Sequence, residues 1–275
     1  MRKIRILILT QTIIALLCTE ALAVASVFFS SHQWLAPEIM PQASTVSGFV
    51  FSFLAATVVL FILLKSFRGR VIFEFLLSIA VFGGVWFLLG AFLPSPWDIL
   101  FASAVTLLRL FLPYVIVQNG VMIAGVAGIS AMLGISTPWK TALMILVLLS
   151  IYDVIAVYET KHMVTMFKGL LERGVVFALT VPEKLSGQFH HLRSVNPREG
   201  YFFLGSGDLA LPSLFVVSAF ATHPALGIGA MIGSALGVVL METLFRLGKG
   251  NPMPALPPIT LGSLLGFFLA MLFIG

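Results

Sequence analysis

Charge is what this chain has least of. Asp, Glu, Lys and Arg make up 10% of its 275 residues, against about a quarter in a soluble globular protein. With 16 basic and 11 acidic side chains the surface of a water-soluble particle cannot be coated, so a soluble fold is excluded, and the 59% hydrophobic content excludes disorder. Cysteine is nearly absent: Cys18 is the single one, which permits no internal disulfide and leaves the redox compartment open. Neither GxGxxG nor GxxxxGK[ST] occurs, which argues against nucleotide binding. Excess basic charge is small as well. A net charge of +5 and a pI of 9.6, spread over short loops, are what membrane orientation alone produces, so no nucleic-acid partner is implied.

What the chain has is long apolar runs, with a mean hydropathy of +1.08. Segments near 20 residues between charges or Pro/Gly breaks predict an all-α membrane protein of nine spans. They run over Ile4–Phe29, Val46–Leu64, Val71–Leu93, Ile99–Val117, Val121–Ile135, Thr141–Val157, Phe202–Phe220, Ala225–Phe245 and Ala255–Ile274. The first is too long for a signal peptide and carries Glu20 without a clear cleavage site, so it counts as a span. The fifth, with Gly125, Gly128 and Gly134, is short for a bilayer. An N-terminus in the cytoplasm and a C-terminus outside put 14 of the 16 basic residues on the cytoplasmic side, as the positive-inside rule requires. Lys140 falls outside and Arg109 inside a span.

One connection is long. It divides the chain into residues 1–157, carrying six spans, a cytoplasmic loop over 158–201, and residues 202–275, carrying three. Within the loop, Gly174–Val181 (GVVFALTV) is β-branched and apolar and could pair as a strand or lie at the interface, although the charges around it favour a loosely ordered loop. The adjacent His190 and His191 lack further metal ligands and read as solvated surface.

Ionised groups inside a bilayer cost at least ~2.5 kcal/mol on insertion scales, so acids within spans are functional candidates. Glu74 and Glu242 lie near span ends, where they can snorkel or pair with Arg70 and Arg246. Glu20 and Arg109 sit deeper and are open to packing, pairing or gating. Asp153 and Asp208 differ, because they fall at depths of roughly 6 and 9 Å on consecutive antiparallel helices, which are usually neighbours. Two facing carboxylates cannot both ionise cheaply and share one proton, which makes a poised acid and base. Gly205 and Gly207 before Asp208 weaken the helix, and Pro212 one turn on reinforces the break.

These residues resemble a known family. Ile151-Tyr152-Asp153-Val154, then Leu204-Gly205-Ser206-Gly207-Asp208, then Pro254-Ala255-Leu256-Pro257 resemble, in order and on spans six, seven and nine, the three signatures of the presenilin and signal-peptide-peptidase family of intramembrane aspartyl proteases. The resemblance implies nine helices, Asp153 and Asp208 as the catalytic pair, Tyr152, Gly205, Ser206 and Gly207 as support, and the Pro254–Pro257 segment beside them. It implies no cofactor and no metal. The chain resembles a microbial presenilin homologue, which points to a plasma membrane, with the catalytic pair near the cytoplasmic side. Its implied partners are lipid and single-span membrane proteins or remnant peptides, unwound near the cytoplasmic end. Gly174–Val181 or the Pro254–Pro257 segment could hold such a substrate extended. Ser206 stands where the family usually has Leu, and Leu211-Pro212-Ser213 looks more like the peptidase branch.

Two other readings compete. Paired aspartates beside broken helices also suit an ion- or proton-coupled transporter, although no inverted repeat is visible and both acids lie off the midplane. Gly229, Gly233 and Gly237 form a doubled GxxxG, suited to a homo-oligomer or, more commonly, to close packing within one bundle.

Overall fold

The computed structural model describes residues 2–29, 46–66, 70–159, 176–195, 200–247 and 253–274. The chain is mostly helical. Among the described residues the α-helices are α1 (Arg2–Phe29), α2 (Val46–Ser66), α3 (Arg70–Gly90), α4 (Trp97–Phe111), α5 (Val115–Ile135), α6 (Trp139–Tyr158), α7 (Ser206–Thr222), α8 (Pro224–Leu247) and α9 (Leu256–Ile274). Six of them (α1 from Ile6, α3, α5, α6, α8 and α9) are long and apolar enough to cross a membrane, while α7 is a shorter apolar helix. Between α6 and α7 lie strand β1 (Ala178–Pro182), two short 3₁₀ turns and strand β2 (Tyr201–Gly205).

Without a hydrophobic force between helices in lipid, close approach depends on small residues. At the α8–α9 contact a Cβ on Gly233 would land on the Gly262 backbone, and one on Gly229 would land on Gly266. The doubled GxxxG therefore faces α9 of the same chain. Gly84 of α3 meets Gly125 and Gly128 of α5 in the same way.

Hydrophobic clusters join the early and late parts of the chain. Leu16 of α1, Val126 of α5, Leu179 and Val181 of β1, Leu204 of β2, Leu209 of α7, Val238 of α8 and Ile259 of α9 pack together. A second cluster joins Leu146 of α6 to Phe215, Leu226 and Phe267 of the last three helices.

Several expectations change. The fourth and fifth spans divide at Leu112–Tyr114, because Pro113 disfavours helix at Leu112, whose φ and ψ are −118° and 74°. That lengthens α5 to 21 residues, so it is not the short segment anticipated. The stretch expected to open the seventh span, from Phe202, is instead β2, and the helix starts at Ser206. Gly174 itself lies outside the described residues, but Ala178–Val181 is strand rather than loose loop: it pairs antiparallel with β2, Ala178 opposite Gly205 and Val181 opposite Phe202. Pro212 does not reinforce a break, since it lies inside α7. Most residues of the 158–201 loop before Val176 lie outside the described residues, as do Glu38, Arg68, Arg198 and Lys249.

Candidate active site

Asp208 owes its place to a change of period. Alternating strand geometry runs through β2 to Gly205, and helix begins at the next residue, so Asp208 occupies the first turn of α7. Gly205 is the N-cap, with φ −59° and ψ 143°, and its backbone hydrogen-bonds back to the Asp208 carboxylate. An acid three residues past the cap reaching back to the cap's N–H satisfies one of the four donors a helix start leaves unpaired. Ser206 N donates to Phe177 O across 3.3 Å, so the ladder and the helix start share one hinge. A Cβ on Gly205 would come within 3.0 Å of Asp208 Oδ2, whereas one on Gly207 would meet nothing within 4 Å. The backbone is thus tight beneath the carboxylate and open beside it.

Asp153 is buried on α6, five residues before its end, at about 7.5 Å by helical rise. Its Oδ2 accepts the backbone N–H of Leu256 at 3.3 Å. Leu256 opens α9, and the two prolines after it have no N–H to offer, so this carboxylate caps the positive end of α9, a contact worth roughly 0.3–2 kcal/mol. Pro254 and Leu256 are buried, Ala255 and Pro257 half-buried. The Asp153 and Asp208 carboxylates interact electrostatically. Three motifs far apart in sequence thus come together: Asp153 touches the Pro254–Pro257 segment, and its charge acts on Asp208. Tyr152 is half-buried on the same turn as Asp153.

A family model described as signal-peptide peptidase, presenilin aspartyl protease matches residues 5–275. The chain belongs to this family. It is an intramembrane-cleaving aspartic endopeptidase, a hydrolase. Two solved structures are similar to it, both of a presenilin family intramembrane aspartate protease. One, in space group C222, has 29% identity and a TM-score of 0.68 over 96% of this chain and 99% of the other. The second, in P2, has 29% identity and a TM-score of 0.66 over 95% and 96%. No curated protein matches. Nothing in these comparisons supports the transporter reading.

Among the described residues, the remaining charged candidates of this presenilin-family chain have structural partners. Glu74 pairs with Arg70 at 2.8 Å and Glu242 with Arg246 at 3.1 Å, as expected. Arg109 is not deep in a span: α4 ends two residues later, and the guanidinium bonds Glu74 Oε2 at 2.8 Å and Gln118 Oε1 at 2.7 Å. Glu20 is buried against Ser234 at 2.9 Å. His190 lies 2.6 Å from Tyr201 Oη, and His191 forms a bridge to Tyr114.

Sequence reading passed over Gln11, Gln118, Asn119 and Gln188. Their signal was available: Gln118 and Asn119 interrupt the apolar run Val115–Met122, and amides within a membrane helix demand partners just as charges do.

Proposed function

We propose that Asp153 and Asp208 are the catalytic pair, hydrolysing peptide bonds within the transmembrane helices of single-span membrane proteins. The observation that carries this reading is the Asp153 carboxylate, which accepts the Leu256 N–H of the Pro254–Pro257 segment and lies close enough to Asp208 for their charges to interact. One carboxylate, ionised, takes a proton from water as it attacks the scissile carbonyl. The other, protonated, gives its proton to the carbonyl oxygen. The tetrahedral diol then collapses as the leaving nitrogen is protonated, and the pair returns to its single shared proton. The two carboxylates act as a unit, so acid and base are roles of the pair.

A substrate helix hides its carbonyls in its own hydrogen bonds and must unwind first. Of the two surfaces foreseen for an extended substrate, β1 is unsuited: one edge pairs with β2, and Thr180 on the other bonds to Asn119. The Pro254–Pro257 segment, already against Asp153, supports the remaining choice. Gly207, with open space beside its Cα, supports approach to Asp208 from that side. Nine spans, a cytoplasmic N-terminus and a plasma-membrane location with the pair near the cytoplasmic face complete the proposal, supported by the basic residues at the ends of α1, α3 and α8.

The test is purified protein in detergent or lipid with a labelled single-span substrate. Wild type is expected to cleave it, and Asp153→Ala and Asp208→Ala to leave it intact. A wild type without product, or either variant cleaving normally, contradicts the assignment.

A further inference from the structure

Strand β1 has two edges, and the ladder occupies only one. Glu183 N bonds Gly200 O and Ser206 N bonds Phe177 O, so in the period-2 alternation the odd-numbered residues face β2 and the even-numbered ones face away. The outward carbonyls are held by side-chain amides from two helices. Gln118 Nε2 of α5 donates to Val176 O at 2.9 Å. Asn119 Nδ2 donates to Thr180 O at 2.7 Å, and Asn119 Oδ1 accepts Thr180 N at 2.9 Å. Gln11 Nε2 of α1 donates to Pro182 O at 3.0 Å. Gln188 ties the set together, accepting from Asn119 and donating to Gln11. Thr180 is fully buried and Gln118 and Asn119 are nearly so.

We propose that Asn119 is a positioning residue for Asp208, acting through β1; the inference rests on the proteolytic reading above. By bonding both backbone groups of one residue, its amide stands in for a neighbouring strand and fixes where β1 sits along α5. The ladder carries that position to β2, and β2 runs without a loop into Ser206 and Asp208. A slip of one residue would turn every side chain of β1 to its other face, and a slip of two would move the start of α7 by about 7 Å. Gln118 and Gln11 hold the strand at either end of the same edge. Gln118 is in turn held by Arg109, and Arg109 by Glu74, so α3, α4 and α5 share in the register.

The test compares wild type with Asn119→Ala and with Asn119→Gln, which keeps the amide on a longer arm. The two readouts are cleavage kinetics per folded molecule and hydrogen exchange of the Leu204–Leu209 amides. Asn119→Ala is expected to lower kcat about tenfold to a hundredfold, the scale of a displacement near 1 Å, with KM within about twofold. Exchange at Leu204–Leu209 should rise about tenfold or more, and Asn119→Gln should recover part of both. A variant with unchanged kcat per folded molecule, or with exchange unchanged at Leu204–Leu209, overturns the proposal. The exchange arm needs no catalysis, so a wild type that cleaves nothing strikes the proteolytic reading alone.

Discussion

At Gly205 the absence of a side chain sets how closely backbone approaches the Asp208 carboxylate. An alanine there would place Cβ at 3.0 Å from Oδ2, and either the carboxylate or the hinge must give. Gly205→Ala is therefore expected to reduce kcat by about tenfold or more, since small displacements of a reacting group are costly, while leaving the melting temperature nearly unchanged. Gly207→Ala meets open space and should alter stability by no more than about 0.5 kcal/mol, so any loss of cleavage it causes reports on substrate approach. Steady-state kinetics with thermal melts of both variants separate the two effects. The proposed sharing of one proton makes a second prediction at this scale. Below the titration range of the pair both carboxylates are protonated and no base remains; above it both are ionised and no acid remains. Activity against pH is thus bell-shaped, and a profile with one limb contradicts a two-carboxylate mechanism.

Among the elements, α8 and α9 depend on their glycines and α3–α5 on an ion pair. Gly233→Ala puts a methyl onto the Gly262 backbone, and overpacking of this kind costs about 1–3 kcal/mol, measurable as a lowered melting temperature in detergent. Arg109→Ala leaves a half-buried Glu74 with Arg70 alone among the described residues and removes the donor to the buried Gln118 Oε1, and loss of hydrogen bonds to a charged group costs about 1.5–3 kcal/mol. Legibility in sequence follows the same division between local and distant. The long apolar helices, the end-of-span ion pairs of Glu74 and Glu242, and the three motifs were readable because spacing along one chain defines them. Tyr201–Gly205 was not: Tyr-Phe-Phe-Leu-Gly is as apolar as a helix start, and only pairing with Ala178–Pro182, some 20 residues away in sequence, makes it a strand. Arg109 was misplaced because an apolar run continues through Pro113, and the proline's restriction on Leu112 outweighs hydropathy there. The partners of Gln11, Gln118 and Asn119 lie on other elements, so their spacing on their own helices carries no trace of them.

For the whole molecule, scarcity of charge has two consequences. Few ionic groups are tolerated inside lipid; among the described residues Arg70, Glu74, Arg109, Glu242 and Arg246 pair near helix ends, and the bundle is held by small-residue contacts and apolar clusters that join α1, α5 and α6 to α7, α8 and α9. Asp153 and Asp208 stand apart from that pairing: they accept the backbone N–H groups of Leu256 and Gly205, and the charge of Asp153 acts on Asp208. The chain belongs to the signal-peptide peptidase and presenilin aspartyl protease family, and we assign that family's hydrolysis to these two carboxylates as proposed. The most direct measurement is mass spectrometry of the products formed from a single-span substrate in ¹⁸O-water. Wild type should yield a new carboxyl terminus inside the apolar span carrying one ¹⁸O, with Asp153→Asn and Asp208→Asn yielding none. Cuts confined to the flanking polar residues, an unlabelled new terminus, or labelled product from either variant would contradict intramembrane hydrolysis by this pair.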